Sequence, residues 1–424
     1  MINKLKPWNP VKVKSEFSQN VLTLMTGTTV AQAIPIAISP ILTRIYTPEE
    51  FGVFALYMAF ISIGAAIVTG KYEMAILLPK RNEYAKYLVV ISIFLTICFS
   101  IVLYIFYYIF FKEINSILNI QDNFNYFYLV PIGIFLFAFY NILLQWMNRQ
   151  KEYKLMTKNR FIQASSIALF QLLIGFIKKL SLGLVIADII GRIIAIILIF
   201  KSVFSQIKID NFSLRKLIYL MKRYKKFPKW EMPATVLNIS SFQIPYIFIP
   251  ILFTSAIAGF YFLVFRVLMM PIGLIGNAIL EVFKNRAIED FNKYNSCKEI
   301  YKKIFLLLLG IGIIPTFILI SFGQEIFAFA FGEAWREAGI YAQILAPLAL
   351  LRLISAPLSF VFFIREKLEL DLLVQFIFFI LVLISLFISY FYSSSMILVS
   401  LLSVSGCIFY IIQIIVSYRL SYVK

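Results

Sequence analysis

A chain whose apolar runs each reach about twenty residues has few ways to fold, because no water-soluble domain can cover that much hydrocarbon-like surface. Twelve such runs follow one another here, at residues 17–43, 51–78, 87–111, 124–147, 158–177, 181–200, 232–253, 255–282, 302–322, 339–364, 370–391 and 395–418. At about 1.5 Å per helical residue, each is long enough to cross the roughly 30 Å core of a bilayer. The hydrophobic share of 61% and mean hydropathy of +0.88 agree with this reading. Runs such as Leu88 to Phe111 do not alternate as barrel strands must, so helices have to satisfy the backbone polar groups. The expected fold class is an all-α polytopic membrane protein with about twelve transmembrane helices.

Charge then orients the chain. About 32 of the 40 lysines and arginines fall at the two ends and in every second loop. Both termini are therefore expected in the cytoplasm. A net charge of +19 would suggest a nucleic-acid binder in a soluble protein, but the positive-inside bias accounts for most of it, and no nucleic acid partner is expected. The basic run Arg215, Lys216, Lys222, Arg223, Lys225, Lys226 and Lys229 suits anionic membrane lipid on the cytoplasmic face. Cys98, Cys297 and Cys407 are odd in number and imply no disulfide framework. The absence of histidine removes the commonest metal ligand and general base, so neither metal, cofactor nor enzymatic chemistry is expected. The tripeptide Ala31-Gln32-Ala33 resembles a signal-peptidase site, but the apolar run continues through it to Leu42, which favours a retained first span.

The longest polar interruption, 201–231, splits the spans into two lobes. The expected divisions are a cytoplasmic N-terminus 1–16, a six-helix lobe 17–200, a basic cytoplasmic linker 201–231, a second six-helix lobe 232–418 and a cytoplasmic C-terminus 419–424. Two parallel halves around a cavity are what alternating access requires, although the halves share no visible motif. Gly183, Ala187 and Gly191 form a small-residue stripe on which another helix can pack closely. Pro35, Pro40, Pro245, Pro250, Pro271, Pro347 and Pro357 interrupt spans and permit bends, read either as tolerated kinks or as gating hinges.

Ionisable groups inside the spans carry the functional information, because each is costly unless it meets a partner or water. Arg192, Arg266 and Arg352 lie roughly ten, eleven and thirteen residues from the outer ends of spans six, eight and ten, which places them near mid-bilayer. Asp188 is the one carboxylate at that depth and sits four residues before Arg192, on the same helical face. The two form either a structural ion pair or a substrate- or ion-handling pair. For Arg266 and Arg352 the alternatives are pairing with carbonyls or meeting an anionic ligand such as a diphosphate, which accepts paired guanidinium bonds. Arg44 ends span one on the outside. Lys71 and Glu73 lie late in span two, and two residues apart on a helix they should point in nearly opposite directions. Trp8, Trp146 and Trp230 fit the cytoplasmic interface and Trp335 an external hairpin.

Specific strings add a resemblance. Leu42-Thr-Arg-Ile-Tyr-Thr-Pro-Glu-Glu-Phe-Gly-Val-Phe54 and Gly70-Lys-Tyr-Glu-Met-Ala-Ile-Leu-Leu-Pro79 resemble the first two spans of Wzx-type oligosaccharide flippases, the polysaccharide-exporting branch of the MOP superfamily. Arg266-Val-Leu-Met-Met-Pro-Ile-Gly-Leu-Ile-Gly-Asn-Ala278 resembles that family's eighth span, and Phe331-Gly-Glu-Ala-Trp-Arg-Glu-Ala-Gly339 with Gln343-Ile-Leu-Ala-Pro347 its hairpin into span ten. The resemblance implies two six-helix bundles around a cationic cavity. Through it a polyprenyl-diphosphate-linked oligosaccharide would cross a bacterial inner membrane for O-antigen, lipopolysaccharide or capsule biosynthesis, alongside polymerase and chain-length partners. It implies that Arg44, Lys71 and Arg266 line or gate the cavity; apart from the resemblance, Pro35, Pro40, Pro271 and Gly276 are candidate hinges by their place in the spans. Lys71 stands where arginine is common, and Arg352 where a neutral residue is expected. A lipid II flippase is the nearest rival. A multidrug extrusion antiporter would favour cavity carboxylates for its cationic substrates, and a membrane glycosyltransferase or polymerase would need a larger external loop than the roughly 15 residues found here.

Overall fold

A computed structural model describes residues 10–117, 125–178, 182–208, 212–365 and 367–422, with side chains in the first helix from Thr29 onward. Most of the N-terminal segment, with Trp8, and the break between spans five and six at Ser181 lie outside the described residues. Twelve long helices are described: α1 Pro10–Ile45, α2 Pro48–Val68, α3 Asn82–Ile109, α4 Leu129–Arg149, α5 Tyr153–Lys178, α6 Gly183–Ile207, α7 Met232–Leu252, α8 Ser255–Tyr294, α9 Lys298–Phe331, α10 Arg336–Leu358, α11 Leu368–Tyr392 and α12 Ser395–Leu420. Eleven of them, α2 to α12, are long and apolar enough to cross a membrane, and α1 contributes the apolar stretch Thr29–Ile45.

The internal repeat that the residues hide is plain in the packing. In the first lobe α1 packs on α5, α5 on α6, α6 on α4, and α4 on both α2 and α3. Six helices later α7 packs on α11, α11 on α12, α12 on α10, and α10 on both α8 and α9. The lobes meet through α2 against α8, flanked by the reciprocal contacts α1 with α8 and α2 with α7. The small-residue stripe does what its spacing suggests, since a Cβ on Gly191 would stand 2.8 Å from the Ile167 backbone nitrogen of α5.

Several span limits shift for local reasons. Span two does not continue to 78: α2 stops at Val68, Gly70 and Lys71 take left-handed φ values of 55° and 60°, and a short turn, Tyr72–Ala75, follows. The reversal also turns Lys71 toward Glu73, so the two do not diverge as on a continuous helix but stand 3.7 Å apart. Helix α8 runs on to Tyr294, 40 residues or about 60 Å, well past any bilayer. Helix α9 bends at Phe322 and reaches Phe331, where Gly332 at φ +103° stops it. The basic connection is mostly helical: α6 runs to Ile207, an amphipathic helix spans Leu214–Arg223, and a π-helical turn, Phe227–Glu231, leads into α7. Lys216 of that connection bonds Glu83 at 2.5 Å, which holds its ammonium above the ordinary lysine range.

Candidate functional site

The lobes are joined tightly at the end of the bundle opposite the chain termini. Thr47-Pro48-Glu49-Glu50 begins α2 as a reciprocal capping box: Thr47 Oγ1 accepts from the Glu50 backbone N–H, and Glu50 returns a carboxylate to the Thr47 N–H at 2.8 Å. This fixes the N-terminus of α2 against that of α8, where a Cβ on Gly259 would fall 1.9 Å from the Pro48 carbonyl oxygen. From the α9–α10 turn the fully buried Trp335 donates its indole N–H to the Thr43 carbonyl at 3.0 Å and packs edge-on against Phe51. Arg44 donates to Pro40 in its own helix at 2.6 Å and, across the lobes, to the carbonyls of Ala330 and Phe329 at 3.3 and 3.4 Å. Two of the strings singled out in the sequence, 42–54 and 331–339, thus meet in one seam.

Below the seam a cavity of about 410 Å³ opens between α1, α4, α5, α6 and α8. Its cations are Arg160, Arg192 and Arg266, and among the described residues no carboxylate lines it. Arg192 is 6% exposed and makes a two-pronged pair with Asp188, Nε to Oδ2 at 2.8 Å and Nη2 to Oδ1 at 2.7 Å. Tyr57 donates to the same carboxylate at 3.3 Å, and the guanidinium lies 4.6 Å from the centre of the Phe137 ring. Arg266 donates to the Pro35 carbonyl at 3.2 Å, so the one cation that α8 brings to the cavity is held by the proline-interrupted part of α1. Two polar atoms of lining residues are buried without a hydrogen-bond partner among the described residues, Tyr140 Oη and Gln171 Oε1.

Of the candidate residues, the structure brings Arg192 and Arg266 together with Pro35 in this cavity. Arg44 lies in the seam above it, and Lys71 sits beside Glu73 near the termini end. Arg352 is inside the second lobe, with its guanidinium 5.3 and 5.8 Å from the Phe242 and Phe265 rings and Nη1 buried without a hydrogen-bond partner among the described residues. Pro40 and Pro271 lie inside α1 and α8, and a Cβ on Gly276 would meet nothing within 4 Å, so close packing does not account for that glycine. Sequence reasoning missed Arg160, which stands near the start of a span and looks like an interface residue. The signal was available: Arg160, Gln163, Ile167 and Gln171 recur at helical spacing and all line the cavity, over about 16 Å of α5.

Twelve long helices among the described residues, packed as two six-helix lobes, define an architecture that is shared with solved membrane transporters. The fold is similar to an inward-facing multidrug resistance MATE family transporter of the MOP superfamily (TM-score 0.70, 13% identity, covering 94% of each chain). It is also similar to the lipid II flippase MurJ in an inward closed conformation (TM-score 0.74, 11% identity, covering 95% of this chain and 87% of that one). A third similar structure is a MOP superfamily transporter from Pyrococcus furiosus, described as having a binding pocket of reverse polarity (TM-score 0.56, 11% identity, covering 95% and 96%). No curated protein sequence is close enough to this chain to count as a match. The model of the polysaccharide biosynthesis protein family matches residues 41–340, more than half of the chain, and the protein belongs to that family.

Proposed function

We propose that this protein is a flippase that moves a polyprenyl-diphosphate-linked oligosaccharide across the bacterial inner membrane by alternating access, for the synthesis of a surface polysaccharide. The observation that carries the reading is the cavity with three arginines and no carboxylate among its described lining residues, walled by α1, α4, α5 and α6 of the first lobe and by α8 of the second. Such a surface suits a diphosphate, which takes charge-assisted bonds from more than one guanidinium. Its volume of about 410 Å³ is in the usual range for ligand sites, roughly 300–1,000 Å³. Membership of a polysaccharide biosynthesis family supports a glycan cargo, and the flippase among the solved structures of the same fold supports a lipid-linked one.

With both termini cytoplasmic, the seam closes the outer side. Arg266, Arg192 and Arg160 compensate the head group, the glycan stays hydrated in the cavity, and the polyprenyl chain remains in the bilayer through an opening between the lobes. Arg44 then acts as an outer latch, the Lys71–Glu73 pair belongs to the cytoplasmic end, and Arg352 serves the second lobe. Opening of the seam would bend α1 at Pro35 and Pro40 and α8 near Pro271 and Gly276. No covalent step is needed. A lipid II-type cargo is the second reading, favoured by the same diphosphate chemistry. A cationic drug is disfavoured by the sign of the cavity.

The test is the accumulation of lipid-linked oligosaccharide on the cytoplasmic leaflet of cells carrying Arg266→Ala, normalised to protein level. Export should be abolished, and Arg266→Lys should restore it partly, because an ammonium keeps the charge without the two-pronged donor set. Full export by well-expressed Arg266→Ala would sink the proposal. The orientation is checked separately by a reporter active only outside the cytoplasm, which should be active when fused after Glu333 and silent after Lys225.

A further inference from the structure

Away from the central cavity, α9 and α12 enclose a second concavity of about 570 Å³ on the outer surface of the second lobe, at the termini end. Its apolar wall comes from Phe305, Leu306, Ile414 and Ile415, of which Leu306 is 64% and Ile415 48% exposed, so this part of the groove faces the bilayer. The groove is held open by polar bonds on its inner side. Tyr301 Oη bonds Ser417 Oγ at 2.8 Å and the Ile414 carbonyl at 3.0 Å, and the backbone N–H of Cys297 donates to the Ser421 carbonyl at 2.8 Å. The rings of Tyr301, Tyr418 and Tyr422 continue this wall, with successive centroids 5.5 and 5.3 Å apart. Among the described residues, Lys302 and Arg419 are the charged ones of the lining, and none is a carboxylate.

An apolar trough that ends in two cations at the edge of the membrane matches one kind of molecule, with an acyl chain for the trough and a negative head group for the rim. We propose that this groove is a binding site for an anionic glycerophospholipid of the leaflet on the termini side, the acyl chain lying along Leu306 and Ile415 and the phosphate held by Lys302 and Arg419. The site is distinct from the arginine cavity, shares no lining residue with it, and does not depend on what that cavity carries. A bound lipid would reinforce the direct bonds between the first turns of α9 and the last turns of α12, helices that also share α10 as a neighbour.

Native mass spectrometry of the purified full chain, titrated in detergent with phosphatidylglycerol or with phosphatidylcholine of the same acyl chains, tests this. The wild type should retain phosphatidylglycerol about thirtyfold better, the preference expected from two basic residues beside a head group of net negative rather than zero charge. Lys302→Gln with Arg419→Gln should erase the preference while leaving phosphatidylcholine binding unchanged, and the exchange Lys302→Arg with Arg419→Lys should keep it. Leu306→Trp, which fills the trough without touching the charge, should lower retention of both lipids. An undiminished preference in the glutamine variant, or wild-type retention by Leu306→Trp, would overturn the proposal. Displacement of phosphatidylglycerol by an equimolar polyprenyl phosphate would also overturn it and give the groove to a polyprenyl chain.

Discussion

The seam and the cavity lie next to each other along the same helices, yet they are built on opposite rules. In the seam the indole of Trp335 and the guanidinium of Arg44 both have carbonyl partners in the other lobe, and glycine brings backbones into contact. In the cavity three arginines face a common space, and the buried oxygens Tyr140 Oη and Gln171 Oε1 have no partner among the described residues. A region with its polar groups matched and its backbones touching is complete in itself. A region with orphaned buried oxygens and several cations on one wall costs stability by itself and makes sense for a protein that meets something there. Substitutions in the seam should therefore act first on the closed conformation, and substitutions in the cavity on transport.

The largest effect should come from the closest approach. In Gly259→Leu even the first side-chain atom would sit within 2 Å of the Pro48 carbonyl, a backbone group that cannot step aside, so the seam cannot close as it does here. Export should be lost, and paired cysteines introduced across the seam should stop cross-linking. Unchanged cross-linking would mean that the glycine contact is incidental.

Next in size is the buried ion pair. Asp188→Ala leaves Arg192 uncompensated, for which about 3–5 kcal/mol is usual. Because the guanidinium also faces the cavity, where water can reach it, the lower end of that range is expected. Thermal unfolding in detergent measures this, and Asp188→Ala with Arg192→Ala should recover part of the loss. Equal, additive losses of export at normal stability would instead show that the pair serves cargo or ion handling alone, with no part in the framework.

What could be read from the residues depended on range. The spans were legible because hydropathy is a local sum, and Asp188 with Arg192 was legible because four residues is one helical turn. Two left-handed residues at Gly70 and Lys71 were not, since nothing local forces a helix to end at an apolar position such as Val68. The parallel repeat was hidden for a related reason. Packing preserves which helix touches which, and many apolar residues serve that equally, so no motif survives. Arg160 was overlooked because depth was judged along one helix, whereas its place in the cavity depends on α1, α6 and α8 arriving from far away in sequence. Arg44 was legible as an end-of-span residue, but its two partners lie about 285 residues away.

The two smallest substitutions give the sharpest contrast, since each removes a single polar group and little volume. Trp335→Phe deletes the bond to the Thr43 carbonyl, and with that acceptor buried the seam should lose about 1–3 kcal/mol, read as a lower unfolding temperature. Tyr140→Phe should behave in the opposite way. Its hydroxyl has no partner among the described residues, so removing it deletes an unmet demand rather than a bond, and stability should hold or rise slightly. If that hydroxyl serves the cargo, export should fall several-fold at unchanged protein level, because a bound head group or sugar loses a hydrogen bond worth about 0.5–1.5 kcal/mol. The pair of measurements separates the two regions with one polar group each. Should Tyr140→Phe destabilise the protein as much as Trp335→Phe, the hydroxyl has a partner within the fold, and the line drawn between a self-sufficient seam and a ligand-dependent cavity is in the wrong place.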